Sequence, residues 1–203
     1  DLNCAPRGDF AMARMQADAK SPLGAQFTAV LLDAIDRARA ASMGMPAAGS
    51  AEARLAVRYT AASADYDEVA RRLRAWQTGG FLTPSGVETF YHSLQAGERE
   101  HAVATTLFNA WMGRFVRGVF DDERFPADAW AGGGSAARVR TLALMIDGRG
   151  AANSTRLASW NAATEESAYF DVLGTDPVET SREVALTALD AALTGLRAAP
   201  AGP

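Results

Sequence analysis

The sequence predicts a mainly α-helical protein, an irregular bundle of about six to eight helices. First, Ala102–Phe120 places its large apolar residues on one wide helical face, at the i, i+4 and i+8 positions. Second, residues typical of helix starts precede several similar stretches. Third, no stretch shows the alternation of apolar and polar residues that a half-buried strand requires. We therefore expect a mainly α fold.

Ala102–Phe120 is predicted to be the central helix. Its buried face comprises Leu107, Phe108, Trp111, Met112, Phe115, Val116 and Val119. At 1.5 Å per residue such a helix is about 28 Å long, enough to cross a small domain. Gly113 and Gly118 each cost about 1 kcal/mol relative to alanine in a helix interior. We therefore expect another backbone to pass close to these two glycines.

Two helices are predicted at the start of the chain. Asp9 is a suitable N-cap for a short helix over Phe10–Ala19. Ser21 then caps a longer helix that begins at Pro22, because the N–H group that proline lacks would be unpaired in the first helical turn. This helix is expected to end near Met43-Gly44.

Two further helices and a poorly defined stretch precede the central helix. Ser50 is a weaker N-cap for a helix over Ala51–Ala62. An acidic variant of the capping box, Asp65 with Glu68, predicts a separate helix over Tyr66–Gln77. The region up to Glu100 contains turn residues and a possible short helix over Val87–Leu94.

The C-terminal third predicts two clear helices. Ser135 is expected to cap a helix over Ala136–Ile146, after a glycine-rich link. Arg156–Leu173 is expected to be partly helical. Thr180 and Glu183 form a T-x-x-E capping box for a final helix that extends through Leu196.

Length and composition favour one globular unit. The 203 residues are treated as a single helical domain, with irregular ends at 1–8 and 198–203. The net charge is −4 and no basic run occurs, which argues against a nucleic-acid partner. No apolar run reaches the 18 or so residues that a membrane span needs. Cys4 is the only cysteine, so no intrachain disulfide can form.

The two histidines and the cysteine are candidate catalytic or metal-binding groups. His92 and His101 could hold zinc together with a carboxylate, but they do not form an H-E-x-x-H motif. The preferred interpretation is two half-exposed histidines beside a helix start. Cys4 could be a nucleophile, but no histidine lies near it in sequence to activate it.

Three other features have a structural explanation as well as a functional one. Asp121-Asp122-Glu123 could attract calcium but lacks the spacing of a calcium loop; it is expected to face solvent or to pair with Arg117 or Arg124. Gly132–Ser135 could hold an anion on free N–H groups, although a flexible link is favoured. Asn153-Ser154-Thr155 matches a glycosylation sequon that would matter only in a eukaryotic secretory route. The four tryptophans are expected to pack in the core or at its edge: Trp76, Trp111, Trp130 and Trp160.

Several collinear segments resemble the penicillin acylase (penicillin amidase) family of N-terminal nucleophile hydrolases, in particular the helical part of its β subunit. Met12–Gly24, MARMQADAKSPLG, resembles the family's M-x-x-M-Q-x-D-x-x-S-x-L-x pattern. Leu73–Trp76 is similar to its L-x-x-W segment, although Gln77 stands where Asp is usual. Ala104–Trp111 is similar to its A-x-x-L/I-F/Y-x-A-W helix, and Arg182–Leu196 to its later amphipathic helix.

This resemblance implies a helical fragment or inserted helical domain of a larger α+β (αββα) amidohydrolase. Such an enzyme is periplasmic or secreted, is cleaved into two chains, and hydrolyses amides of β-lactams, acyl-homoserine lactones or similar acyl compounds. Its nucleophile is the N-terminal residue of the β chain, usually serine, whose α-amine acts as the base. Residue 1 here is Asp, and the family's catalytic and calcium-binding residues lie upstream of the matched segments.

The resemblance therefore assigns no catalytic, cofactor-binding or metal-binding residue to this chain. The expected partners are the α chain and the catalytic core of the β chain, and the chain alone is expected to be inactive. The alternative is a stand-alone helical ligand-binding or interaction module. That alternative predicts an internal cavity lined by Trp111, Phe115 and Leu189, whereas the fragment hypothesis predicts an exposed apolar face.

Overall fold

Helices dominate the described part of the chain. The computed structural model describes residues 20–84, 86, 88, 93, 95–121, 134–147, 160–161 and 166–198. Within them are five α-helices: α1 (Pro22–Met43), α2 (Ala51–Thr78), α3 (Glu98–Phe120), α4 (Gly134–Asp147) and α5 (Ser181–Ala198). The prediction of a mainly α protein is confirmed. The predicted helix over Phe10–Ala19 lies outside the described residues, as does most of Val87–Leu94. The count of six to eight helices therefore stays a prediction, and so does the single domain.

α1 begins as its sequence predicts. The Ser21 hydroxyl accepts a hydrogen bond from the Gly24 N–H at 2.9 Å, and Pro22 occupies the first turn. The helix ends at Met43, immediately before Gly44. A Cβ atom added at Gly24 would lie 2.5 Å from the indole ring of Trp76, so glycine allows α1 and α2 to approach closely here.

α2 (Ala51–Thr78) consists of two helical segments that meet at a kink. The kink is at Ala62, whose φ and ψ of −135° and 25° are not helical, and this is where the predicted helix over Ala51–Ala62 ends. The second segment does not start at Asp65 as predicted; Asp65 accepts a hydrogen bond from Arg197, and Glu68 accepts one from Arg71. The predicted N-cap is confirmed, since the Ser50 hydroxyl accepts from the Ala53 N–H at 3.1 Å.

α3 begins at Glu98, one turn earlier than predicted, and its apolar face is buried as expected. The interpretation of its glycines was wrong. Gly113 and Gly118 are both exposed, and a Cβ atom on Gly118 would meet the Val184 side chain only at an ordinary 3.4 Å. The close approach occurs on α5, where a Cβ atom on Gly195 would collide with the guanidinium of Arg114.

The region after α3 requires two corrections. α4 begins at Gly134, so Ser135 lies inside the helix and is not its N-cap. Arg156–Leu173, predicted to be partly helical, contains two short strands that the sequence analysis did not predict: Trp160–Asn161 (β1) pairs antiparallel with Glu166–Ser167 (β2). Two residues are too few to show an alternating pattern. A 3-10 turn, Ala168–Phe170, follows β2.

The start of α5 confirms the capping box. The Thr180 N–H donates to the Glu183 carboxylate at 2.9 Å, and the Glu183 N–H donates to the Thr180 hydroxyl at 3.3 Å.

The core lies between α1, α2, α3 and α5, with α4 packed against one side. A row of aromatic rings crosses it, with ring centroids 5.0 to 5.7 Å apart: Trp76, Phe108, Trp111 and Phe115. Both indole N–H groups bind backbone carbonyls, Trp76 that of Leu82 at 2.6 Å and Trp111 that of Ala185 at 2.9 Å. None of the described helices is both long enough and apolar enough to span a membrane.

Candidate functional site

A groove between α3 and α5 has a volume of about 660 Å³. We call it the α3–α5 groove. Gly118 of α3 lies opposite Val184 of α5, and Arg114 lies opposite Gly195, so the two helices run antiparallel along it. Small and apolar residues form its floor: Gly118, Val172, Val184, Ala188 and Ala191. The groove exists because α3 has glycine and α5 has alanines where larger side chains would fill the space.

Three guanidinium groups line the α3–α5 groove, from Arg58, Arg114 and Arg117. Arg58 is paired with Asp190 at 3.1 Å. Arg114 donates to the Ala110 carbonyl and Arg117 to the Gly113 carbonyl, each at 3.0 Å within its own helix. Among the described residues neither of these two has a carboxylate partner. Each guanidinium has five N–H donors, so most remain available to a bound group.

The acidic residues at the groove are occupied elsewhere. Asp121 accepts from Arg138 of α4 at 2.6 Å, although the i, i+4 spacing would favour Arg117. The prediction that the acidic run faces solvent is confirmed at Asp121, whose side chain is 51% exposed, but its partner is Arg138 and not Arg117 or Arg124. Glu179 accepts from the Val172 N–H at 3.1 Å and from the Thr175 hydroxyl at 2.7 Å. The groove therefore contains two guanidiniums without a carboxylate partner among the described residues, while Glu179 keeps its negative charge.

A second network connects α2 with α5, and its charged and phenolic groups are hydrogen-bonded to one another. Glu183 is 3% exposed and receives both arms of the Arg54 guanidinium, at 2.5 and 3.0 Å. The same guanidinium also donates to the carbonyls of Gly49 and Val178, each at 3.1 Å. Nearby, the buried Tyr66 hydroxyl donates to Asp190 at 2.7 Å. Burial, and then this hydrogen bond, raise the pKa of Tyr66 above its ordinary value.

The structure gives the sequence-predicted candidates no catalytic arrangement within its described part. His101 lies in the first turn of α3, packed against Gly79. No cluster of three or more metal-ligating side chains occurs among the residues described. Trp76 and Trp111 are core residues, as predicted, and Trp160 lies in β1. The remaining candidates lie outside the described residues: Cys4, His92, Asp122, Glu123, Trp130, Gly132, Gly133 and Asn153–Thr155.

The alternative hypothesis places an internal cavity at Trp111, Phe115 and Leu189. All three are fully buried in the core and none of them lines the α3–α5 groove, so that cavity stays a prediction. The sequence does contain a signal for the α3–α5 groove, in the pattern of residues on α3. Arg114 and Arg117 lie on the polar side of α3, three residues apart, with two glycines beside them.

An exposed apolar surface lies where α1 meets α2. Met43 is 76% exposed, Met45 is fully exposed and Val57 is 70% exposed. Two shallow depressions of about 490 and 350 Å³ flank Val57, and Pro46 lines one of them. We call these four residues the apolar corner. Exposed apolar groups that are contiguous mark surfaces that contact other molecules.

Comparison with known proteins gives one finding. The sequence model of the family described as penicillin amidase matches residues 10–203. No curated protein and no solved structure matches the chain significantly.

Proposed function

Because the chain belongs to the penicillin amidase family, we propose that it is the non-catalytic helical part of a larger amidohydrolase. That enzyme cleaves the amide bond of a β-lactam, an acyl-homoserine lactone or a similar acyl amide. The nucleophile, its α-amine base and any calcium site belong to polypeptide outside these 203 residues. We propose that the whole enzyme acts in the periplasm or outside the cell.

The family match over residues 10–203 is the observation on which this proposal rests. The side chains around α2 and α5 support it, because their strongest polar groups are used in helix–helix contacts. Glu183 and Arg54 hold the start of α5 to the start of α2, and Tyr66 binds Asp190. None of these groups is left free to attack or protonate a substrate.

The apolar corner supports a partner in the rest of the enzyme. Met43, Met45 and Val57 would each lose exposed apolar surface on docking, a gain of about 25 cal/mol per Å² buried. We propose that the α chain or the catalytic core of the β chain covers this surface.

Hydrolysis of a chromogenic phenylacetyl amide tests the proposal. The 203-residue chain alone should give no turnover, and activity should appear when it is produced together with the remainder of its open reading frame. Turnover by the chain alone would refute the non-catalytic role. A frame that does not continue past the chain, or has no Ser-Asn processing point upstream, would contradict the larger parent.

A matched pair of variants tests the docking surface. Val57→Asp in the apolar corner should weaken recovery of the assembled enzyme, because a carboxylate would be buried without a partner. Val103→Asp is the control, since Val103 is also an exposed valine, 46% exposed, on another helix. Equal recovery of the two variants would exclude the apolar corner as the docking surface.

A further inference from the structure

The α3–α5 groove has the size and lining of a small-molecule site. Its volume of about 660 Å³ falls within the range of about 300–1,000 Å³ typical of ligand pockets. Such pockets combine a mainly apolar surface with a few polar groups that orient the ligand. Here the apolar floor and the two guanidiniums lie on facing helices, the floor mainly on α5 and the charges on α3.

The charge of the α3–α5 groove selects an anion. Arg114 and Arg117 have backbone carbonyls but no carboxylate as partners in the described part of the chain. The guanidinium fork matches a carboxylate in two parallel hydrogen bonds, which makes this pairing stronger than a neutral one. Three arginines and two carboxylates, Asp121 and Glu179, line the groove, so its net charge is +1, which one negative charge balances. A monoanion therefore fits better than a phosphate.

We propose that the α3–α5 groove binds a small amphipathic carboxylate. The carboxylate pairs with Arg117 and Arg114, and the apolar part lies along Val184, Ala188 and Ala191. The site is separate from the chemistry of the proposed amidohydrolase, and binding requires only the present chain. The proposal goes beyond the proposed function and can fail while that function stands.

Calorimetric titration of the 203-residue chain with decanoate, below its micelle concentration, tests the site. Decanol, of the same chain length but uncharged, is the comparison ligand. Decanoate should bind one to one, and decanol roughly tenfold more weakly, since a charge-assisted hydrogen bond is worth about 1.5–3 kcal/mol. Absence of decanoate binding, or equal binding of both compounds, would overturn the proposal.

Variants locate the bound molecule. Arg117→Gln should weaken decanoate binding roughly tenfold and leave decanol binding unchanged. Arg99→Gln, an exposed arginine in the first turn of the same helix, is the matched control and should bind decanoate as the wild type does. If R117Q binds decanoate with unchanged affinity, the carboxylate does not lie at Arg117.

Filling the groove is the independent test. Ala191 and Thr187 are exposed positions of α5 that line the groove, so a tryptophan at either one occupies it without entering the core. Both A191W and T187W should keep the urea midpoint of the wild type and lose decanoate binding. Binding that survives in a folded variant of either kind would place the ligand elsewhere and refute the proposal.

Discussion

α2 contacts both α5 and α1 through arginine–carboxylate pairs, most of them exposed, but one of the pairs with α5 contains a buried carboxylate. In the α2–α5 contact, Glu183 is 3% exposed and is held by both arms of Arg54. In the α1–α2 contact, the pair of Arg37 with Glu52 leaves both side chains about half exposed, at 54% and 46%. Arg74 with Asp36 is similarly exposed.

This difference indicates which contact depends on charge. When an exposed pair is broken, water hydrates each charge in place of its lost partner, so an exposed pair contributes little. A buried carboxylate has no such replacement, and loss of its partner leaves an uncompensated group. The α1–α2 contact must therefore depend on its apolar residues, including the close approach of Gly24 to Trp76. The α2–α5 contact depends on Glu183.

The largest expected effect is that of Glu183→Gln. The substitution keeps the shape of the side chain but leaves the Arg54 guanidinium without its counter-charge. We expect a loss of about 3 kcal/mol in the free energy of unfolding, the lower end of the range for a broken buried pair, because Arg54 is 27% exposed. Urea unfolding followed by circular dichroism measures it.

Glu52→Gln is the matched control for that variant. It makes the same chemical change in an exposed arginine pair, and we expect a loss of less than about 1 kcal/mol. Equal losses in the two variants would show that burial does not separate the two contacts.

An intermediate effect is expected for Tyr66→Phe, which also lies in the α2–α5 contact. The variant loses the hydrogen bond to Asp190, worth about 1 kcal/mol, while Asp190 keeps Arg58. Its effect also depends on pH. Because the folded-state pKa of Tyr66 is raised, its contribution is present below the unfolded pKa of about 10 and is lost as the pH rises above that value.

Urea midpoints at pH 7 and pH 10.5 measure this dependence. The wild type should lose more stability than Y66F between these two values. If the wild type and Y66F lose the same stability between pH 7 and pH 10.5, the raised pKa of Tyr66 is contradicted.

The sequence predicted the ends of the helices better than the contacts between them. Ser21-Pro22 and the Thr180–Glu183 box are local signals, because each cap joins atoms three residues apart. Arg54, which pairs with Glu183 of that box, is 129 residues away from it in the sequence, so no local pattern indicates this contact. Gly113 and Gly118 show the same limit, since their helix cost is visible in sequence but the reason for it is not. The charge of the α3–α5 groove could not be predicted from the sequence either, because it depends on the pairing of Asp121 with Arg138 of another helix.

The smallest effect is expected in the α1–α2 contact, for Asp67→Asn. Asp67 accepts hydrogen bonds from Tyr59 at 2.6 Å and from Arg39, and these two bonds, the first being the larger cause, lower its pKa. A lowered folded-state pKa stabilises the fold above the unfolded value of about 3.9, and this contribution is lost as the pH falls below it. Asp67 is 50% exposed, so we expect less than about 1 kcal/mol at pH 7.

Urea midpoints at pH 7 and pH 3 test this prediction. The difference between wild type and D67N should be present at pH 7 and smaller at pH 3, where the Asp67 carboxyl of the unfolded chain is mostly protonated. Tyr59→Phe is the control that keeps the carboxylate but removes the larger cause of its lowered pKa, so its acid loss should be smaller than that of the wild type. A D67N loss as large as that of E183Q would mean that the exposed contact depends on charge as much as the buried one.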